Sequence, residues 1–185
     1  QEKYLLEGNL RYDGSSRFPK DGRFGLFPSF SAGWIMSNED FFNVSWIDYL
    51  KIRGSYGVLG NQQIGNYPYQ KTLNLNQSYP LGEEERLLPG VALTTLPFQN
   101  ITWESVAVFD QGVDINLLNN KFNFSIDHYV RKTTDILYNL TVSSVLGMGV
   151  SEQNAAEVKN RGWDFELTYR NSINDFSYSI RPNFS

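Results

Sequence analysis

The sequence predicts an all-β chain, one antiparallel sheet of about seven long strands. Three observations carry this reading. Residues 109–130 form two arms that alternate apolar and polar side chains about Asn119-Asn120, the same period of two recurs in five further segments, and short and long connections take turns along the chain.

The two arms fix each other's register. With Asn119 and Asn120 as a two-residue type I′ loop, Leu117 faces Phe122, Ile115 faces Phe124 and Val113 faces Ile126. The alternate pairs are polar: Asn116 with Asn123, Asp114 with Ser125, Gly112 with Asp127. One register therefore sorts both faces, and a slip by one residue would mix them.

The first strand, about 4–13, puts Tyr4, Leu6, Leu10 and Tyr12 against Glu7, Asn9 and Arg11. The second, about 23–35, places Phe24, Leu26, Pro28, Phe30, Ala32 and Trp34 on one face, with Pro28 demanding an edge or a bulge because it cannot donate to a ladder. The third, about 49–59, sets Leu50, Ile52, Tyr56 and Val58 against Lys51, Arg53 and Ser55. After the hairpin arms, about 161–171 alternates Trp163, Phe165, Leu167 and Tyr169 with Asp164, Glu166, Thr168 and Arg170. The last, about 176–185, alternates Phe176, Tyr178, Ile180 and Phe184 with Ser177, Arg181 and Asn183.

Composition narrows what the apolar faces meet. The 185 residues include no cysteine, so there is no disulfide frame and no thiolate metal site. A formal net charge of −4 argues against nucleic acid, whose phosphates require a basic stripe. No apolar run is long enough for a transmembrane helix, but a spanning strand needs only about 9–11 alternating residues. Residues 1–5 carry no basic segment leading into an apolar run, so no signal peptide is expected there. Alternation alone leaves two architectures open, a soluble sandwich with one finite core or a wall between an apolar medium and water.

Four runs bear on that choice: Arg11-Tyr12-Asp13-Gly14-Ser15-Ser16-Arg17-Phe18, residues 25–34 (GLFPSFSAGW), residues 50–57 (LKIRGSYG) followed by Gly60-Asn61, and residues 160–167 (NRGWDFEL). Together, and in this order, they resemble the barrel of the SusC/RagA-type TonB-dependent outer-membrane transporters. The resemblance covers nearly the whole chain except 65–96. It implies that residues 1–185 are part of one transmembrane β-barrel domain in the bacterial outer membrane, in contact with lipid, within a larger barrel of about 22 strands plugged by an N-terminal domain. It also implies import of oligosaccharides or peptides, a SusD-like lipoprotein as lid, and TonB engaged through an N-terminal region not seen in this sequence. No cofactor is implied. The alternative is a soluble or surface-tethered carbohydrate-binding β-sandwich module.

In such barrels short turns face the periplasm and long loops the outside, so parity puts 14–22 outside, 37–48 in the periplasm, and the long 60–102 and 132–160 connections outside. Glu7, Arg11, Arg53, Asp127, Arg131, Asp164, Glu166 and Arg170 are the candidates for lining the lumen or meeting substrate, and the same charges also suit structural cross-strand pairs. In the external connection, Tyr67, Tyr69, Tyr79 and the run Glu83, Glu84, Glu85 are candidates for substrate or lid contact, against the plainer reading of a solvated loop. Trp34, Trp46, Trp103, Trp163 and Tyr169 suit interfacial girdles. No catalytic set is expected. His128 is the only histidine and falls on the apolar stripe across from Gln111. Gly147-Met148-Gly149 lacks the strand and helix of a phosphate loop, and no metal site is expected.

Overall fold

The computed structural model describes residues 2–82 and 86–185. Its strands, in chain order, are β1 (Tyr4–Gly14), β2 (Phe24–Ile35), β3 (Ile47–Asn61), β4 (Leu73–Leu81), β5 (Arg86–Leu93), β6 (Thr95–Leu96), β7 (Glu104–Leu117), β8 (Phe122–Tyr138), β9 (Gly149–Val150), β10 (Gln153–Ile173), β11 (Phe176–Ile180) and β12 (Asn183–Phe184). One antiparallel sheet runs β1-β2-β3-β7-β8-β10-β11, with β12 also on β10. These are the seven predicted strands, the last one broken at Arg181-Pro182, where proline's missing N–H interrupts the ladder.

The predicted hairpin register is the observed one: Leu117 opposite Phe122, Ile115 opposite Phe124, Val113 opposite Ile126. Asn119 and Asn120 both take positive φ (60° and 59°), as a type I′ turn demands, and Lys121 N donates to Leu118 O at 3.4 Å. Leu118 departs from the expected geometry, with φ of 54°. Its amide turns away from the hairpin and donates to the Trp46 carbonyl in the neighbouring connection.

Register carries the two faces across the whole sheet. Tyr4, Trp34, Ile52, Val113, Ile126, Phe165 and Phe184 follow one another strand to strand on the apolar face. That face is not covered: Leu6, Phe30, Tyr56, Phe109, Trp163 and Phe165 are all exposed. The apolar stretch of β2, residues 24–34, and that of β10, residues 163–169, overlap by register only near Trp34 and Phe165. The band thus steps along successive strands, as strands tilted to a barrel axis require if the band is to stay level. Rings gather at its ends: Tyr12 stacks on Phe24 at one, while at the other Trp34 and Phe41, and Phe122 and Tyr169, meet at a tilt and Tyr169 meets Tyr178 edge to face.

Connections sort to two ends by parity, as expected. Residues 36–46, 118–121 and 174–175 share the end with short turns, while 15–23, 62–103 and 139–152 share the other. Two expectations about the long connections need correction. Strands β8 and β10 extend well past their predicted limits, so the 132–160 connection shrinks to 139–152. Residues 60–102 are not structureless, since β4 and β5 form a separate two-stranded ribbon and β6 pairs in parallel with β9.

The small buried core lies at the long-connection end. Pro28 still faces Leu10 of β1, but the β2–β3 ladder ends at Ser29 and Gly57, the edge behaviour expected of the proline. Phe27 fills the gap beyond, its ring 2.1 Å from where a Cβ on Gly60 would stand, so only glycine fits there. Phe18, Ile64, Ile101 and Trp103 pack around it. Trp103 is therefore no girdle residue: it is 7% exposed, touches Phe18 and Phe27, and donates from Nε1 to the Arg23 carbonyl.

Candidate functional site

Alternation sends Glu7 and Arg11 of β1, Arg53 of β3, Asp110 and Asp114 of β7, Asp127 and Arg131 of β8 and Asp164 of β10 to one face, and the register gathers most of them in its middle. Arg53 is the hub. Its Nε donates to Asp114 Oδ2 at 3.0 Å, Nη2 to Asp127 Oδ2 at 2.9 Å, and Nη1 reaches Asp110 Oδ1 at 3.5 Å. Ser125 Oγ donates to Asp114 Oδ1 at 2.9 Å and accepts from Arg53 Nη2 at 3.2 Å, closing the network. Gly112, between Arg53 and Asp127 in the register, makes the approach possible: a Cβ there would stand 2.3 Å from Asp127 Oδ1 and 2.8 Å from Arg53 Cζ.

Three carboxylates thus surround one guanidinium, and Asp164 lies directly opposite one of them, Asp127, on the next strand. Two open clefts flank the hub. One, of about 400 Å³, is bordered by Glu7, Ser31, Lys51, Arg53, Ser55 and Asp110. The other, of about 440 Å³, is bordered by Asp110, Tyr129, Arg131, Asn160 and Asp164. Glu7, Arg53, Asp127, Arg131 and Asp164 are thus brought into one charged belt.

The other three candidates sit apart. Arg11, near the long connections, pairs with Asp13 at 2.8 Å. Glu166 pairs with Arg181 at 3.3 Å, and Arg170 stands at the short-turn end, its amide donating to the Lys121 carbonyl. Asp110 and Asp114 were missing from the candidates although they share the parity of Gly112 and so the polar face.

At the long-connection end Tyr67 and Tyr69 meet edge to face, centroids 6.4 Å apart, and Tyr69 packs against the core. Tyr67, with φ of 53°, borders a cleft of about 310 Å³ together with Asn66, Gln70, Thr95, Asn139 and Glu152. Tyr79 is not with them: it is exposed on the β4–β5 ribbon, opposite Leu88. Glu83, Glu84 and Glu85 lie outside the described residues. The connections are tied together by Arg17 Nη1 donating to the Gln62 and Ile64 carbonyls, and by Asn154 bridging Thr102 and Asp135.

This arrangement presents charged and hydrogen-bonding groups to the two open clefts. On the apolar face His128 stands 3.2 Å from Gln111, and its ring packs at a tilt against Trp163 with 4.6 Å between centroids.

A long sheet with a bare apolar face, a charged opposite face and knitted loops at one end is what the family of TonB dependent receptor-like β-barrels would contribute, and the model of that family matches residues 1–185. The chain belongs to that family. It is 33% identical over 187 residues to TonB-dependent receptor P39 of Formosa agariphila, covering 100% of this chain and 17% of the relative. It is 31% identical over 193 residues to TonB-dependent receptor SusC of Bacteroides thetaiotaomicron, covering 99% of this chain and 19% of SusC. The barrel sheet superposes on the RagAB peptide importer in its closed-closed state with a TM-score of 0.80 and 26% identity, over 98% of this chain and 20% of that one. The barrel is thus related to SusC and RagA, and the chain spans about a fifth of the length of these relatives. A sheet this size does not close on itself: β1 and β11 are its free edges among the described residues.

Proposed function

We infer that residues 1–185 are one part of a single barrel domain in the bacterial outer membrane, and that the whole protein imports oligosaccharides or peptides with TonB and a SusD-like lipoprotein lid. The observation that carries this is the exposed, mainly apolar band opposite the Arg53 belt, a pairing that a membrane on one side and a watery lumen on the other would satisfy together. Eleven residues of apolar alternation, 24–34 in β2, suit a tilted spanning strand, which needs about 9–11. In this reading the long-connection end faces outward, and the Tyr67–Tyr69 cleft meets substrate or lid. No covalent chemistry is involved. Peptide gains some support from the structural likeness to a peptide importer, and the charged belt suits peptide backbones and termini.

Fractionation and uptake test it. The full-length protein is expected to stay with outer membranes until detergent is added, and cells carrying it should take up labelled oligosaccharide or peptide only while TonB and the adjacent lipoprotein are present. Recovery in the soluble fraction with sugar binding would favour the sandwich module instead.

A further inference from the structure

One part of the apolar face is not apolar. On β8 and β10 the outward-facing positions run Phe124, Ile126, His128, Val130, Lys132 and Phe165, Trp163, Arg161, Lys159. Arg161 lies opposite Val130 and Lys159 directly opposite Lys132, just above Trp163 toward the long-connection end. Lys132 pairs with Glu157 at 3.0 Å, whereas Lys159 and Arg161 have no ion pair among the described residues. All three basic side chains are exposed.

Apart from Glu157, their described neighbours on this face carry no charge. At the level of Lys132 the next strand presents Ala107, and one step down Phe109, so Glu157 is the sole carboxylate beside three cations among the described residues. Like charges directly opposed across a strand pair repel, and the one carboxylate relieves only Lys132. An anion held between Lys159 and Arg161 would remove that repulsion.

We propose that Lys132, Lys159 and Arg161 form a binding site for the phosphorylated headgroup of a lipid in the outward leaflet, with its acyl chains lying along Val130, Trp163 and Phe165. The proposal rests on the membrane reading above. Charge complementarity selects the headgroup, since a guanidinium forks onto phosphate oxygens and lysines add point charges. Continuity selects a lipid over a soluble phosphate, because the apolar rows begin one residue pair below the cations, with Trp163 at the boundary where such rings sit. The cations themselves stand where spanning strands leave hydrocarbon for headgroups.

The test is native mass spectrometry of the full-length transporter released from nanodiscs of phosphatidylcholine, with or without phosphatidic acid as the probe. The wild type should retain phosphatidic acid in preference to phosphatidylcholine. Lys159→Gln and Arg161→Gln should each lower that retention about fivefold, and the pair roughly 25-fold, from about 1 kcal/mol per basic residue at a membrane surface. Lys159→Arg should keep it, which separates charge from fold, as should an unchanged heat-resistant barrel on a gel. Equal retention of the two lipids by the wild type, or unchanged preference in the double variant, would overturn the headgroup site while leaving the membrane reading intact. A wild type that fails to enter nanodiscs at all would overturn that reading and the site with it.

Discussion

Removing the Arg53 guanidinium would leave Asp110, Asp114 and Asp127 clustered across β7 and β8 without the cation they share, and with only the Ser125 hydroxyl bridging Asp114 and Asp127. Arg53→Met should therefore destabilise the refolded barrel by about 1–3 kcal/mol, toward the low end because nearly a third of the side chain reaches water. Adding Asp114→Asn should recover part of the loss in urea titrations into lipid; purely additive penalties would show that the network is not coupled. The two faces make a second contrast. Ile126 is central in the apolar run of β8, so Ile126→Arg should cost about 2–4 kcal/mol near a bilayer midplane. Ser125→Arg should be far milder, since the new cation arrives beside Asp114 and Asp127. Equal costs at adjacent positions would mean that the faces are not lipid and water. Half of the Arg53 site was readable beforehand: Asp114 opposite Ser125 follows from counting back from Asn119-Asn120. Arg53 itself could not be joined to them, because β3 and β7 are separated by the 62–103 connection and no tight turn counts their register.

Among elements, β1 owes its anchorage at the short-turn end to one carboxylate. Glu39 accepts from Trp34 Nε1 at 3.1 Å, Lys3 Nζ at 3.0 Å and the Tyr4 hydroxyl at 2.8 Å, and these bonds hold its carboxyl below the usual carboxylate range. A depressed value means the unfolded strand binds the proton more readily, so the stabilisation is complete above the ordinary carboxylate range and is lost as pH falls through that range to the lowered value. Protection of the Ile35 amide, which donates to the Lys3 carbonyl at 2.8 Å, should fall on acidification once the intrinsic exchange rate is divided out, and Glu39→Gln should flatten that dependence. An unchanged pH profile in the variant would place the control elsewhere. Element limits were less legible than element existence. The period of two does not stop where lipid contact would, so β8 and β10 continue through Lys132 and Lys159, charged positions that read as loop. The β4–β5 ribbon was hidden by Pro80 and Pro89, which demote a strand on paper but are tolerated at the edges of a two-stranded ribbon. Trp103 looked like a girdle ring because burial against Phe18 and Phe27 depends on contacts remote in sequence.

For the molecule as a whole, the ribbon and the core make separable contributions. Among the described residues strands β4 and β5 pair only with each other, and the core that seals the β2–β3 gap draws on Ile64, Ile101 and Trp103, which flank the ribbon without belonging to it. Tyr79 and the apolar Leu73, Leu75, Leu87 and Leu88 are exposed on the ribbon, an arrangement suited to contact with something beyond the sheet. Replacing residues 73–93 of the full-length transporter with a short Gly-Ser linker should leave insertion and heat resistance at wild-type levels, because no ladder of the large sheet is cut. Uptake, or co-purification of the lid lipoprotein, should fall severalfold. By contrast, Ile101→Asp, which puts an unpaired charge into a fully buried site, should impair assembly itself by about 3 kcal/mol or more. If the linker variant inserts and both uptake and lid association are unchanged, the ribbon is only a connector, and the contact surface must lie with Tyr67, Tyr69 and the 139–152 connection.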